Sequence, residues 1–299
     1  MLTGIHIAFA GGDARHLEVI RKCVELDATV TLFGYDNLNP PPVGTTKGRW
    51  VPGELTGIDV LVLPVVGTDD NGHVESIFAP GTLVFRDEHA AQLKPSTLVF
   101  TGMARPYLLN LCQRHRLRLI QLLDVDEVAI YNSIPTMEGA LMMAIQNTDI
   151  TLHDAQTIVL GLGRTGFTLA QGLKALGAHV RVGVRRPEHY ARAFAMGYAP
   201  FYLRDLAQCV RDVDIVFNTI PALVLTAEVI ARMPPHAVII DLASSPGGTD
   251  FRYAEKRGIK ALLAPGLPGI VAPKTAGQIL ANTIIRLILE KKGNQEGLP

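Results

Sequence analysis

Gly161-Leu162-Gly163-Arg164-Thr165-Gly166 follows the apolar run Thr157-Ile158-Val159-Leu160 and leads into a helix-like stretch, residues 167–177. A second strand-like run, His179-Val180-Arg181-Val182-Gly183-Val184, comes next. The order is strand, glycine turn, helix, strand. In that context G-x-G-x-x-G is a dinucleotide-binding fingerprint rather than a chance set of glycines. The first glycine permits the tight turn, the second lets backbone approach a pyrophosphate, and the third lets helix and strand pack closely. The helix start then presents unpaired N–H groups and a positive dipole end to phosphates. Gly161, Gly163, Arg164, Thr165 and Gly166 are therefore the first candidate cofactor residues.

The end of the second strand bears on which cofactor binds. An NAD site carries an acidic residue there, about 20 residues past the glycines, for the ribose 2′-OH. Here the chain reads Val184-Arg185-Arg186-Pro187, with no carboxylate before Glu188. Guanidinium forks suit a 2′-phosphate. Arg185 and Arg186 point to NADP, with NAD as the alternative.

Bulk composition narrows the class. The chain has 299 residues, with 28 Lys plus Arg balancing 28 Asp plus Glu, so no net field draws nucleic acid or an anionic membrane. Hydrophobic residues make up 48%, yet no apolar run is long enough to span a bilayer. The first ten residues lack a basic segment and read as a strand, not a signal peptide. Cys23, Cys112 and Cys209 are far apart and have no metal-ligand spacing, as expected of free thiols in a cytoplasmic protein. No metal site is expected.

Working outward, the first half repeats the same grammar. Residues 5–10, 29–33, 60–63, 97–100 and 117–122 are apolar strand candidates with helical stretches between them. The run Pro40-Pro41-Pro42 is a loop. Beyond the fingerprint, residues 215–218, 238–241 and 260–264 are further strands. The fold class is α/β: two doubly wound, parallel-sheet (Rossmann-like) domains linked by two long helices, with a cleft between them. The expected boundaries are a substrate domain over 1–134, a bridging helix over 135–150 and a cofactor domain over 151–273. A C-terminal helix over 274–292 completes the first domain, and 293–299 is a flexible tail.

Ligands of doubly wound sheets sit beyond the C-terminal strand ends. In the cofactor domain these ends carry Asn218, Thr219 and Pro221 after one strand, and Asp241 and Ser244 after the next. Asn218, Thr219, Pro221, Asp241 and Ser244 are expected on the cofactor wall. Three places can bind an anionic substrate: Arg105 after a first-domain strand, Ser133 as the cap of the first bridging helix, and Lys274 with Thr275 at the start of the second. No histidine stands in an acid–base motif, so no catalytic residue is assigned.

The combined motifs resemble the dipicolinate synthase A subunits of endospore-forming bacteria. They are Ile7-Ala8-Phe9-Ala10-Gly11-Gly12-Asp13-Ala14-Arg15, the segment Asn132-Ser133-Ile134-Pro135-Thr136 with Glu138-Gly139, the fingerprint itself, and Pro265-Gly266-Leu267-Pro268-Gly269 continuing to Val271-Ala272-Pro273 and Thr275-Ala276. The resemblance implies an NADP-dependent oxidoreductase subunit. Its substrate would be a dihydrodipicolinate-type cyclic dicarboxylate of the lysine and diaminopimelate route, oxidised to dipicolinate. It further implies the flavoprotein-like B subunit of dipicolinate synthase as partner, a place in sporulation, and the mother-cell cytoplasm. A homodimer is left open. The alternatives are a non-catalytic, cofactor-binding regulatory or scaffold subunit, and a dehydrogenase of the 2-hydroxy-acid type.

Overall fold

A computed structural model describes the backbone of residues 1–296 and the side chains of 1–293. The chain divides into two compact units, Met1–Ala129 with the chain from Pro273 onward, and Ile130–Ala272. No helix among the described residues is long and apolar enough to cross a membrane.

The first unit runs β1 (His6–Ala10), α1 (Ala14–Glu25), β2 (Thr29–Phe33), β3 (Thr45–Lys47) and β4 (Val60–Val62). A short pair, β5 (His73–Val74) with β6 (Leu83–Val84), precedes α2 (Asp87–Ala90), β7 (Leu98–Thr101), α3 (Pro106–Arg114) and β8 (Arg118–Gln121). The six-stranded sheet has the order β3-β2-β1-β4-β7-β8, and all of its pairings are parallel. Alternation along β1 explains its burial. Ile7 and Phe9 enter one core cluster, with α1 and the C-terminal helix; Ala8 and Ala10 enter the other. Phe9 is fully buried, and truncating it to Ala would cost roughly 3–5 kcal/mol.

The helix α4 (Asp126–Asn147) crosses the division between the units. The second unit then runs β9 (Gln156–Leu160), α5 (Arg164–Ala175), β10 (His179–Val184), α6 (Pro187–Ala195), β11 (Ala199–Tyr202), α7 (Leu206–Cys209) and β12 (Ile215–Asn218). It continues with α8 (Ala227–Ile230), β13 (Val238–Asp241), α9 (Phe251–Lys256), β14 (Lys260–Leu263) and α10 (Leu267–Val271). Its sheet, β11-β10-β9-β12-β13-β14, is again wholly parallel, so both sheets have the doubly wound order.

The last helix, α11 (Pro273–Glu296), returns to the first unit. Its Leu280, Ala281, Ile284 and Ile288 lie in the same core cluster as Val19, Ile20 and Cys23 of α1. Gly277 permits that packing, because a Cβ there would run into the Arg15 carbonyl and lie 2.8 Å from the Glu18 Cβ. Residues 293–296, expected in the tail, continue this helix; 297–299 lie outside the described residues.

Two expectations need correction. The helix expected from Pro135 begins at Asp126, so Ser133 is inside it and cannot be its cap. Pro135 is accommodated in mid-helix although it leaves the Tyr131 carbonyl without its helical donor. Hydroxyls serve the neighbouring carbonyls: Ser133 donates to Ile130 O at 2.6 Å and Thr136 to Asn132 O at 2.7 Å.

Candidate functional site

The fingerprint glycines divide the work as their spacing requires. Gly161 has φ +93°, and a Cβ there would lie 2.6 Å from Thr219 Oγ1. Gly166 faces the Gly161 carbonyl so closely that no side chain fits. A Cβ on Gly163, by contrast, would meet nothing within 4 Å. Gly163 is also the N-cap of α5 and supplies no capping side chain. The first N–H groups of a twelve-residue helix thus lie beside unobstructed space. This cradle fits a pyrophosphate. Exposed Arg164 and half-buried Thr165 form the first turn beside it.

The wall beyond β12 and β13 is built around two buried polar side chains, both fully shielded from solvent. The Asn218 amide donates to Ile220 O at 3.1 Å and to Asp241 Oδ1 at 3.0 Å, while its oxygen accepts the Ile220 N–H at 3.0 Å. Asp241 Oδ1 also accepts the Ala243 N–H, at 3.1 Å. Its Oδ2 accepts the Gly248 N–H at 2.8 Å and the Thr249 hydroxyl at 2.6 Å. The Asp241 carboxylate therefore has no lone pair left for a ligand. It and Asn218 shape the loops, a correction to their expected role as contact residues. Thr219 donates to Leu160 O at 2.7 Å, tying its loop to the end of β9. Pro221 and Ser244 are exposed at the loop tips.

Past β10, Arg185 is exposed and lines a hollow of about 340 Å³ together with Leu203, Arg204, Val224, Thr226 and Glu228. Arg186 turns to Glu188 in the first turn of α6, its Nη1 3.4 Å from the carboxylate. Sequence reading missed Arg204, because β11 contains Pro200 and shows no strand pattern.

The expected substrate residues fall on separate elements. Arg105 is the N-cap residue of α3 and borders a hollow of about 180 Å³ with Thr68, Asp69, His73 and Glu75. Asp70 stands 4.0 Å from its guanidinium. The surrounding carboxylates offset its charge, which weakens it as an anion clamp. His73 Nδ1 lies 2.7 Å from Asp69, and that contact holds the Asp69 carboxyl down at about 2. Ser133 is buried, 2.6 Å from Thr168 Oγ1 on α5, so its hydroxyl braces two helices. Lys274 and Thr275 are exposed in the first turn of α11. Lys274 acts on Glu18 of α1, whose carboxyl is lowered first by Arg21 and in smaller part by Lys274.

One further constellation lies at the start of α1, within the Gly11-Gly12-Asp13-Ala14-Arg15 motif. Asp13 caps α1 and grips Arg15, accepting from Nε at 3.0 Å and from Nη2 at 2.5 Å. Burial works against the Asp13 charge, but His16 and Arg15 outweigh it and hold the carboxyl well below the usual range.

A doubly wound sheet with this glycine cradle defines a domain of the nicotinamide-dinucleotide-binding kind. Residues 128–298 match the alanine dehydrogenase/PNT C-terminal domain family. Residues 6–123 match the N-terminal domain family of the dipicolinate synthase A subunit. The chain is 49% identical over 290 residues to the dipicolinate synthase A subunit of Bacillus subtilis (strain 168), covering 97% of this chain and 98% of that one. It therefore belongs to the dipicolinate synthase A-subunit family. The crystal structure of the Bacillus halodurans member superposes with a TM-score of 0.93 at 50% identity, covering 96% of this chain and 98% of that one. That of the Bacillus subtilis member gives 0.94 at 48% identity, with 98% and 99% covered. A transhydrogenase from Sinorhizobium meliloti shares the fold at 16% identity, with a TM-score of 0.67 and 94% and 93% covered.

Proposed function

We propose that this chain is an NADP-dependent oxidoreductase subunit that converts a dihydrodipicolinate-type cyclic dicarboxylate into dipicolinate, working with a flavoprotein-like second subunit. The observation that carries the reading is the Gly161–Gly163–Gly166 cradle, in a chain that matches a dipicolinate synthase A subunit over 97% of its length.

The chain's own residues bind and orient. Backbone N–H groups at the start of α5 hold the pyrophosphate, and Gly163 keeps that space clear. The Asn218–Asp241 pair fixes the loops that flank it. Arg185 would hold a ribose 2′-phosphate, at the strand end where a carboxylate would select NAD. Lys274 and Thr275 bind a substrate carboxylate, and Arg105 is a weaker second site for one. When bound, the oxidised nicotinamide supplies a hydride acceptor, and aromatisation of the ring releases one further proton. No side chain is assigned as the base that takes it.

The test is to mix the full chain with NADP and the cyclic intermediate, with and without the flavoprotein-like subunit, and to follow dipicolinate absorbance. Activity that requires this chain and is lost in Gly163→Val supports the reading. Activity unaffected by Gly163→Val would make the chain a scaffold.

A further inference from the structure

The ends of two paired strands bring a second arginine, Arg204, to the hollow that Arg185 lines. Val184, the last residue of β10, pairs with Tyr202, the last of β11. The two strands end at the same level, about 4.8 Å apart. The residues that follow, Arg185-Arg186 and Leu203-Arg204, therefore leave the sheet edge side by side. Arg185 and Arg204 line one hollow of about 340 Å³; Arg186 does not.

The partners of Arg186 and Arg204 differ. Arg186 is hydrogen-bonded to Glu188, which offsets its charge. Arg204 lies over the Tyr202 ring, 4.8 Å from its centre, and Tyr202 in turn stacks on Tyr190 at 4.9 Å. Its Nε stands 3.8 Å from the Asp205 carboxylate, an exposed ion pair that offsets part of its charge but, being beyond hydrogen-bond reach, occupies none of its N–H groups. The ring positions the guanidinium from one side and leaves its N–H fork available. The titratable groups lining the hollow are Arg185, Arg204 and the carboxylate of Glu228, so cations outnumber the anion. Leu203 and Val224 add apolar surface suited to a flat heteroaromatic ring.

We propose that Arg204, with Arg185, selects a nucleotide carrying a 2′-phosphate on its adenosine ribose, and that Arg186 takes no part. The inference rests on the NADP reading above and deepens it. A 2′-phosphate between two strand ends accepts charge-assisted bonds from both sides, whereas an unphosphorylated ribose makes neither.

The test is calorimetric titration of the full chain with NADPH, NADH and 2′,5′-ADP, in the wild type and in Arg204→Ala and Arg186→Ala. Arg204 is 78% exposed, so its truncation leaves the core intact. Arg204→Ala is expected to weaken NADPH and 2′,5′-ADP by about tenfold or more, with NADH within about twofold. Arg186→Ala is expected to leave all three within about twofold. Unchanged NADPH binding in Arg204→Ala overturns the proposal, as does an equal loss in Arg186→Ala. An equal loss of NADPH and NADH in Arg204→Ala would make it an adenine contact and overturn it too. If the wild type binds NADH as tightly as NADPH, the 2′-phosphate reading itself fails before any variant is compared.

Discussion

The Asn218 side-chain amide donates to the Asp241 carboxylate at 3.0 Å, joining the ends of β12 and β13 out of reach of solvent. The two strands pair in register, Asn218 opposite Asp241, so the bond is a direct product of the sheet. It turns the two loops beyond into one cross-linked wall. Asp241→Ala should strand the Gly248 N–H, the Ala243 N–H and the Thr249 hydroxyl, and lower stability by about 3 kcal/mol or more. Urea unfolding of Asp241→Ala, Asn218→Ala and the double variant gives the coupling. Additive losses would show that the two side chains act independently.

The glycine cradle separates two effects that are often confused. Gly163→Val should fold normally and lose cofactor, because its side chain would enter open space at the helix start, where the pyrophosphate would lie. Gly166→Val should disturb the fold, since its Cβ collides with the Gly161 carbonyl. Circular dichroism together with cofactor titration distinguishes them. A folded Gly163→Val that binds cofactor normally would remove the basis for the pyrophosphate assignment.

The two candidate substrate cations should not be equal. Lys274 sits in the first turn of α11 and acts only weakly on one carboxylate, Glu18, whereas Arg105 has Asp70 at 4.0 Å and shares its hollow with Asp69 and Glu75. Lys274→Ala should lower kcat/KM by about tenfold, and Arg105→Ala by less. Steady-state kinetics of the two-subunit enzyme measures both. A larger loss in Arg105→Ala would reverse this ranking.

Acid stability should depend on Asp13. Its folded carboxyl is held below the usual range, so its contribution is fully present above the unfolded value of about 3.9 and is lost as pH falls toward the folded value. Asp13→Asn keeps the cap but removes that charge. The stability gap between wild type and variant should be constant above about pH 5 and should narrow as pH falls below about 4. Urea midpoints at pH 7, 4 and 3 read it; a gap that widens on acidification would contradict the assignment.

Burial pushes the thiols of Cys23 and Cys112 up to about 12, and raises that of half-buried Cys209 as well. Thiolate is the reactive form, so the native protein at pH 8 should leave Cys23 and Cys112 unlabelled by iodoacetamide. All three should react once it is unfolded. Mass spectrometry of peptides after timed labelling locates the modified residues.

Much of the fold was legible without coordinates. The strands 215–218 and 238–241 read directly from apolar runs, because strands covered on both faces need continuous hydrophobic sequence, and 179–184 read from its alternating valines. The fingerprint glycines were legible because a tight turn, a close approach and a helix contact each exclude a side chain locally. What sequence left open depends on partners distant along the chain. Pro200 concealed β11, since an edge strand tolerates a residue that cannot complete a ladder. Pro135 suggested a helix start, but hydroxyls of Ser133 and Thr136 serve the carbonyls around it and the helix continues. Asp241 looked like a ligand residue until its four donors, spread from Asn218 to Thr249, were seen to fill it. Arg204 lies well beyond Arg185 in the chain, yet parallel pairing of β10 with β11 brings the two to one hollow. Periodicity and glycine spacing, properties of short segments, determined the domain type. Strand register and buried hydrogen bonds, which exist only once distant segments pack, decided which side chains remain available to a ligand.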